Sequence, residues 1–464
     1  MGDQNKPEVR QLQLEDYAVF LKDAPIPKAQ KGMAETLQIR YKDFGPMTMA
    51  DYEIFSALPP HPFWSQVEKL IDFSFANDLC APLYSPRGQR PYSPELKLKI
   101  HFVQAYENLS DREMELRLMY DLAIKRFVGV PMSFQGMDHS TIALDRGRLG
   151  DVLFDACFHY VLAQARAHKL WGDKGDRWLM DSFHTHACAT PMSSYRLIVH
   201  GILNLVQHLK RTNRPLFERL QQQLKVGDWF QRIPKTASEE ERQANFSRLV
   251  ARAYALLAWF EGETIRPLFW SWDNKKQQLR SLELQAVLYR ILTENTKPTD
   301  DSPGPPEEKT YQKLPRDQRP KERMVTAHDP DVRRGHKTRT VTFAGDKVQV
   351  VQSDESGLIL EVEPIPGCEH DGERVREIVQ RLIDIHGVKP NELVGDTLYG
   401  TGANREALQK MEIPVRAPLP PVSNRTNLLS RDHFIYDADQ KTVTCPQGKV
   451  ATKFIYHPSN NGDL

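Results

Sequence analysis

Two aspartates follow short apolar segments that have the composition of buried strands. Asp181 closes the segment 177–181, and Asp396 directly follows the segment 392–395. Carboxylates at strand ends can meet at one edge of a sheet, and paired carboxylates suit divalent cations such as Mg²⁺ or Mn²⁺. Two such ions can hold the attacking and leaving oxygens of a phosphodiester. We therefore predict a catalytic metal site at Asp181 and Asp396, with the alternative that each side chain only caps a turn.

A second group of possible ligands follows Asp181 closely. His184, His186 and Cys188 alternate along the chain, so a strand would place all three on one face, where Zn²⁺ could bind. No fourth ligand is evident in the sequence. We therefore favour the alternative that these residues form a polar turn.

Basic residues gather in two places where they could contact DNA. Residues 110–149 begin with Ser110 and Glu113, which form a capping box, and their pattern predicts a helix-turn-helix. A second basic run follows the proline-rich segment 295–336. The predicted phosphate contacts are Arg112, Arg117, Lys125, Arg126, Arg146, Arg148, Arg333, Arg334, Lys337 and Arg339. The alternative is a solvated charged surface, since acidic residues nearly cancel the charges of the first group.

Apolar periodicity indicates which elements would position the two aspartates. The predicted order is a hairpin of strands at 340–343 and 347–350, a strand over 358–362, a helix over 375–386, a strand over 392–395, a helix over 404–411 and a strand near 413–415. Gly345 and Asp346 supply the hairpin turn, and Gly387 caps the first helix. This is the element order of an α/β domain.

The composition excludes several classes of protein. With 464 residues, of which 40% are hydrophobic and 27% charged, the chain reads as a globular protein of two to four domains. The net charge of +1 excludes a uniformly basic coat protein for nucleic acids, but not a locally basic groove. Five scattered cysteines and a polar start without a signal peptide predict a cytoplasmic protein, and no apolar run is long enough for a membrane span.

The two aspartate motifs resemble the DDE transposases of bacterial insertion sequences. Leu-Met-Asp-Ser at 179–182 is similar to the first acidic strand of that family. Val-Gly-Asp-Thr-Leu-Tyr-Gly at 394–400, followed by Asn404, is similar to its strand-Asp-x-x-Tyr element. Upstream, the turn at 109–113 and Asp-His-Ser-Thr at 138–141 resemble an InsH-type N-terminal domain.

The resemblance implies both a fold and an activity. The implied fold is α+β and multidomain, with an all-α N-terminal domain and an RNase H-like α/β core whose mixed sheet is interrupted by a helical insertion. The implied activity is metal-dependent cleavage and transfer of DNA strands at element ends. We expect a homo-oligomer on double-stranded DNA, associated with the bacterial nucleoid and not with a membrane.

This interpretation divides the chain into seven segments. They are an N-terminal extension (1–60), a helical InsH-type DNA-binding domain (61–170), the first strand of the RNase H-like core (171–192), a helical insertion (193–294), a linker rich in proline and charge (295–336), the remainder of the core (337–420) and an incomplete C-terminal segment (421–464). The linker composition predicts neither helix nor sheet.

The sequence departs from the family at the third acidic residue, a Glu on a helix beyond the last core strand. After Pro414 there is no Glu, and we expect no helix after Asp396 to carry one. We therefore expect a C-terminally truncated transposase that is weak or inactive. One alternative is a non-catalytic DNA-binding remnant that occupies element ends or inhibits intact transposase. Another is a nuclease with a rearranged triad that uses Glu361, Glu363 or Glu369.

Overall fold

The N-terminal part of the protein is built from helices packed around one apolar core. The computed structural model describes residues 30–172, 176–230, 234, 236–299, 303–337, 340–419, 429, 433–437 and 439–451. The first helices are α1 (Met33–Thr36), α2 (Met49–Ala57), α3 (Trp64–Leu70), α4 (Phe75–Leu79), α5 (Pro94–Glu107), α6 (Asp111–Tyr120), α7 (Leu122–Val128) and α8 (His139–Ala167), with a 3₁₀ turn at Ala81–Leu83. Trp64, Val103, Met114 and Leu118 are among the side chains that fill their core.

The predicted helix-turn-helix is a set of three helices rather than two. The capping box is confirmed: Ser110 Oγ accepts the Glu113 N–H at 3.3 Å, and the Glu113 carboxylate accepts the Ser110 N–H at 2.8 Å. The helix that it starts breaks at Asp121, whose side chain caps α7. Helix α8 continues past the predicted end at Leu149, through a non-helical residue at Gly150. Local caps were readable from the sequence, but helix breaks inside apolar stretches were not.

We expect Ser110→Ala to destabilise the helical domain by about 1 kcal/mol, because the substitution leaves an N–H at the start of α6 without its acceptor. Urea unfolding followed by circular dichroism measures this change. Ser133→Ala is the matched control, since Ser133 is exposed in a loop. Equal unfolding midpoints for the two variants would contradict the role of the cap.

After β1 (Arg177–His184) the chain leaves the sheet and forms a helical insertion. Its helices are α9 (Ser194–Thr212), α10 (Arg214–Leu224), α11 (Glu239–Glu261), α12 (Arg266–Trp270) and α13 (Lys275–Asn295), with a 3₁₀ turn at Val226–Trp229. Two stripes at helical spacing are buried in its core, namely Ile198, Ile202, Leu205 and Leu209 on α9 and Leu249, Ala253, Leu256 and Phe260 on α11. Periodicity alone was sufficient to predict these helices.

The described residues of the segment 295–336 include strands and 3₁₀ turns, so the prediction that this segment contains neither helix nor sheet is wrong. It contains the antiparallel strands β2 (Thr296–Pro298) and β3 (Tyr311–Lys313), 3₁₀ turns at Pro306–Glu308 and Arg316–Gln318, and the whole of the next strand, Arg333–His336. Tyr311 and Met324 are buried in the core of the insertion, with 4% and 1% of their surface exposed. Tyr311 and Met324 are isolated apolar residues in a proline-rich segment, so they form no periodic pattern from which their burial could be predicted.

The remaining chain completes a six-stranded mixed sheet. The added strands are β4 (Arg333–His336), β5 (Thr342–Ser353), β6 (Ile359–Pro366), β7 (Glu392–Gly395) and β8 (Val415–Arg416), with α14 (Val375–His386) between β6 and β7 and α15 (Gly402–Lys410) between β7 and β8. The strand order is β6-β5-β1-β7-β8, and β4 pairs with the start of β5. Strand β5 is antiparallel to β1 and β6, whereas β1, β7 and β8 are parallel. The predicted α+β multidomain fold is therefore confirmed.

The predicted hairpin at Gly345 and Asp346 is wrong, because residues 342–353 form a single strand. Gly345 has a φ of +152°, and a Cβ at this position would lie 2.0 Å from the carbonyl oxygen of Thr185. The Thr185 N–H donates to the Asp346 carbonyl at 2.8 Å, which prolongs the pairing beyond β1. Here the glycine permits a close approach of two chains instead of a turn.

A small antiparallel sheet lies near the end of the described chain. Its strands are β9 (Ile435–Asp437), β10 (Thr442–Thr444) and β11 (Val450–Ala451). No helix in the described ranges combines the length and apolarity needed to cross a membrane.

Candidate active site

The sheet brings together the two aspartates that the sequence singles out. Asp181 lies within β1, and Asp396 directly follows β7. The two strands are parallel, and their last register pair is Met180 with Gly395. The next residue on each chain is one of the two aspartates, so their Cα atoms are about 5 Å apart, the spacing of neighbouring strands. A separation of more than two hundred residues in the sequence thus becomes direct adjacency.

Both carboxylates are exposed, and each has one oxygen committed to a local hydrogen bond. Asp181 Oδ1 accepts the Ser182 N–H at 2.7 Å, and Asp396 Oδ1 accepts the Leu398 N–H at 2.8 Å. The second bond is the turn capping given above as the alternative role. Neither carboxylate forms an ion pair within the described ranges. Each aspartate therefore keeps an oxygen that could bind a cation.

The aspartates occupy the exposed face of the sheet. Side chains alternate along β1, and Met180, on the packed face, is only 2% exposed. On the side of Asp181, Phe183 is 54% exposed. Asp181 pairs with Val350 of β5, which in turn pairs with Val362 of β6. Val362 is 43% exposed. A large substrate such as DNA could therefore reach the two carboxylates.

Tyr399 supports this pair from the packed face. Its side chain is 1% exposed, and a Cβ at Gly395 would lie 2.9 Å from it, so the glycine lets the ring pack against β7. Burial raises the pKa of Tyr399, and three nearby carboxylates raise it further: Asp371, Asp181 and Asp396. The Tyr399 hydroxyl therefore stays protonated near the negative charges of these three carboxylates.

Asp371 was missed by the sequence analysis. It follows β6, whose carboxyl end lies at the same edge of the sheet as those of β1 and β7. Its Oδ1 pairs with Lys347 Nζ at 2.8 Å, and its carbonyl oxygen accepts a hydrogen bond from the Gln349 side chain. An aspartate after a strand was the available signal, but the predicted strand ended at residue 362, too early to place Asp371 at this edge.

Asn404 connects the two loops that carry these acidic residues. It is 8% exposed, and its Nδ2 donates to the carbonyls of Gly372 at 2.9 Å and Tyr399 at 3.1 Å. The loop after β6 and the turn after β7 are thus held together at a fixed distance. This is a positioning role for the asparagine of the strand-Asp-x-x-Tyr motif.

The three glutamates of the rearranged triad do not lie beside Asp181. Glu361 is 1% exposed on the packed face, and Glu363 and Glu369 both form ion pairs with Arg374. Their prediction as alternative catalytic residues is therefore wrong, because each is engaged on the opposite side of the sheet. Within the part of the chain that the structure describes, Asp181 and Asp396 belong to no group of three metal-ligating side chains.

The expectation that no helix after Asp396 carries a Glu is also wrong. Glu406 lies on α15, where it pairs with Lys410 at 2.6 Å. Its side chain is half exposed, and the pair follows ordinary i,i+4 spacing on a helix surface. The geometry gives Glu406 a surface ion pair and no contact with the two aspartates.

Two of the three possible zinc ligands after Asp181 lie together, since the rings of His184 and His186 both lie against Phe343. Strand β1 ends at His184, but the N–H groups of Thr185 and Ala187 still donate to carbonyls of β5. The two imidazole rings are 5.1 Å apart, and Cys188 is exposed. No three-ligand group among the described residues includes them.

Two of the ten predicted phosphate contacts are buried and cannot reach DNA. Lys125 is 4% exposed, and its ammonium donates to the carbonyls of Met132 and Phe134. Arg333 is 9% exposed, and its guanidinium donates to the carbonyls of Pro330 and Val332. Burial lowers the pKa of both side chains. These two predictions are wrong, since both cations satisfy main-chain carbonyls inside the fold.

The other predicted contacts differ in how far they are already engaged. Arg117 and Arg146 are half exposed but ion-paired with acidic residues of the same domain, and Arg126 donates to a main-chain carbonyl. Those that remain exposed without an ion pair in the described ranges are Arg112, Arg148, Arg334 and Lys337. Arg339 lies outside the described residues.

Comparison with known protein families matches part of the N-terminal helices. Residues 52–148 match the family model described as Transposase domain (DUF772). The matched segment runs from α2 into α8 and covers less than a quarter of the chain. It includes the capping box of α6 and the exposed Arg112 and Arg148. Neither the curated proteins nor the solved structures contain a match to this chain. The domain match supports a transposase as the class of the protein.

Proposed function

We propose that this protein is a DDE-type transposase that cleaves and transfers DNA strands at the ends of a bacterial insertion sequence. The transposase domain at residues 52–148 supports the class of protein. The register that places Asp181 beside Asp396 on the exposed face of a mixed sheet carries the chemical part of the proposal. Rigid strands hold both carboxylates in place, which strand transfer requires because positioning supplies most of its catalysis.

Asp181 and Asp396 would hold the divalent ions, Mg²⁺ or Mn²⁺. The donor set fits, since both carboxylates are exposed, lack an ion pair in the described ranges and keep an uncommitted oxygen. A bound ion supplies charge neutralisation at the phosphate under attack. The chain itself orients the two carboxylates, and the exposed face around Phe183 admits the duplex.

The partner in this proposal is double-stranded DNA. Arg112 and Arg148 on the helical domain, and Arg334 and Lys337 beside β4, are exposed and would contact its phosphates. An insertion sequence has two ends, so we propose a homo-oligomer on DNA, acting in the cytoplasm at the nucleoid.

A non-catalytic DNA-binding protein is the second candidate. One observation favours it: in the described part of the chain no third ligand accompanies the two aspartates. A site of two carboxylates binds divalent ions weakly, which predicts weak or absent cleavage. Such a protein would occupy element ends or inhibit an intact transposase.

The test is a strand-cleavage assay on a supercoiled plasmid that carries the DNA flanking the coding sequence. A site of two carboxylates binds divalent ions weakly, so we expect weak nicking or strand transfer with Mg²⁺ or Mn²⁺ and none with EDTA. A shift of the same DNA in a gel without cleavage would favour the second candidate. The absence of both DNA binding and cleavage would contradict both candidate functions.

We expect the double substitution Arg334→Ala and Lys337→Ala to weaken DNA binding uniformly across sequences and to reduce the dependence of log K on log salt by about two. The physical reason is that each lost phosphate contact releases one counterion fewer. Fluorescence anisotropy at several salt concentrations measures the slope. Lys276→Ala with Arg280→Ala removes the same charge from α13 and is the control. An unchanged salt dependence in the Arg334→Ala/Lys337→Ala variant would show that these two residues do not contact DNA.

A further inference from the structure

We propose that Asp155, His159 and Glu361 form a binding site for a divalent transition metal ion, with Zn²⁺ as the best fit. Asp155 and His159 are one turn apart on α8, and Glu361 lies on β6. The site therefore joins the last helix of the N-terminal part to the packed face of the sheet. It lies on the side opposite to Asp181, so it is independent of the proposed cleavage site.

Three ligand atoms converge at this junction. His159 Nε2 lies 3.5 Å from Asp155 Oδ1 and 3.7 Å from Glu361 Oε2, and all three atoms lie within 4.8 Å of one another. Bonds of about 2.1 Å to a tetrahedral metal ion separate its ligands by about 3.4 Å. The two separations from His159 Nε2 are close to that edge length.

The other polar atom of each side chain is already engaged. His159 Nδ1 is 2.9 Å from His386 Nε2, and Glu361 Oε1 accepts the Val362 N–H at 3.1 Å. Asp155 Oδ2 pairs with the guanidinium of Arg381. Metal ligands are typically oriented in this way by hydrogen bonds to their second atom. The three remaining atoms lie within 4.8 Å of one another.

Two of these atoms are buried without a hydrogen bond. His159 is 2% exposed and Glu361 is 1% exposed, and neither Nε2 nor Oε2 has a hydrogen-bond partner among the described residues. A buried polar atom without a partner is costly, so such atoms normally indicate a missing ligand, ion or water. A cation at the centre would satisfy both atoms together.

The distances around the centre favour a metal ion over a direct ion pair between His159 and the two carboxylates. The imidazole nitrogen lies 3.5 Å and 3.7 Å from the carboxylates, longer than N–H···O hydrogen bonds. Arg381 Nη1 is also 3.5 Å from Glu361 Oε2 and leaves this oxygen without a short contact.

The donor set selects the class of metal. One imidazole and two carboxylates are a three-ligand set of the kind that holds Zn²⁺ with a water molecule in the fourth position. Magnesium, which prefers oxygen ligands and keeps several waters, would be disfavoured by the buried imidazole. The consequence for the protein is structural: a bound ion would fix α8 against the sheet and stabilise the junction.

The experiment uses the full chain, freed of metal by a chelator and then titrated with Zn²⁺ alone. We expect one tightly bound Zn²⁺ per chain by elemental analysis after gel filtration, together with a higher melting temperature. Co²⁺ in place of Zn²⁺ should give the visible absorption of a tetrahedral site. The same stoichiometry in an Asp181→Asn/Asp396→Asn double variant would assign the ion to this site and not to the cleavage site.

Two substitutions test the ligands. Asp155→Asn can keep the bond to Arg381, and His159→Gln removes the imidazole; we expect each to weaken Zn²⁺ binding more than 10-fold. His139→Gln is the control, because His139 lies in a partly exposed group with Glu115 and Asp138 in which its Nδ1 is already bonded to Glu115 at 2.8 Å. Circular dichroism shows whether each variant is folded. A folded Asp155→Asn that binds Zn²⁺ like the wild type, or a wild type that binds none, would overturn the proposal.

Discussion

Replacing either Asp181 or Asp396 with Asn is expected to reduce metal-dependent DNA cleavage by more than about 100-fold. Each substitution keeps the size of the side chain and its local N–H acceptor but removes the charge that would hold the metal ion. Both side chains are exposed, so neither change should affect folding. The assay is the initial rate of plasmid nicking at saturating Mg²⁺ and again at Mn²⁺.

The double variant should be no slower than the slower single variant, since residues that act as one unit have strongly non-additive effects. Glu392→Gln is the matched control, because Glu392 lies at the opposite end of the strand that precedes Asp396. We expect this control to cleave at the wild-type rate. Cleavage that survives in both single variants would show that the nuclease centre lies elsewhere in the protein.

Elements with local signals were predictable to the residue. The helix Val375–His386 and its left-handed cap at Gly387 are confirmed, as is the strand Glu392–Gly395. A strong amphipathic period and a glycine that can adopt positive φ are properties of the segment itself. Tertiary contacts were not needed to define these elements.

The features that failed depend on contacts between distant parts of the chain. From the sequence, a hairpin turn at Gly345 could not be distinguished from a close approach of two chain segments, because the segment that approaches Gly345 lies far away in the sequence, at Thr185. Lys125 has the sequence context of a surface cation, yet the loop that follows it folds back to offer two carbonyls. The adjacency of Asp181 and Asp396 was predicted from their positions at strand ends and from a family resemblance, whereas strand register, which produces it, has no one-dimensional signal.

A buried charge network in the helical domain leads to the second large prediction. Lys97 and Asp145 are 4% and 3% exposed, and they pair at 2.5 Å. Lys97 Nζ also donates to the Tyr84 hydroxyl at 3.0 Å, and His101 Nε2 lies 3.3 Å from Asp145. Burial raises the pKa of Asp145, but the hydrogen bond with His101 and the charge of Lys97 outweigh it, so the pKa lies below its ordinary value. The stability that this carboxylate contributes is complete above pH ~3.9 and is lost as the pH falls through its lower folded value.

We expect Lys97→Met to destabilise the helical domain by roughly 3–5 kcal/mol at pH 7, because it leaves the carboxylate of Asp145 buried without its cation. Urea unfolding monitored by circular dichroism gives this value. Arg117→Met is the matched control: Arg117 also pairs with acidic residues, but on the surface, so its loss should cost less than about 1 kcal/mol. Lys97→Met with Asp145→Leu should recover much of the lost stability, since replacing both charges removes the unpaired one. If Lys97→Met and Arg117→Met lowered the free energy of unfolding by the same amount, Asp145 would be solvated in the native state.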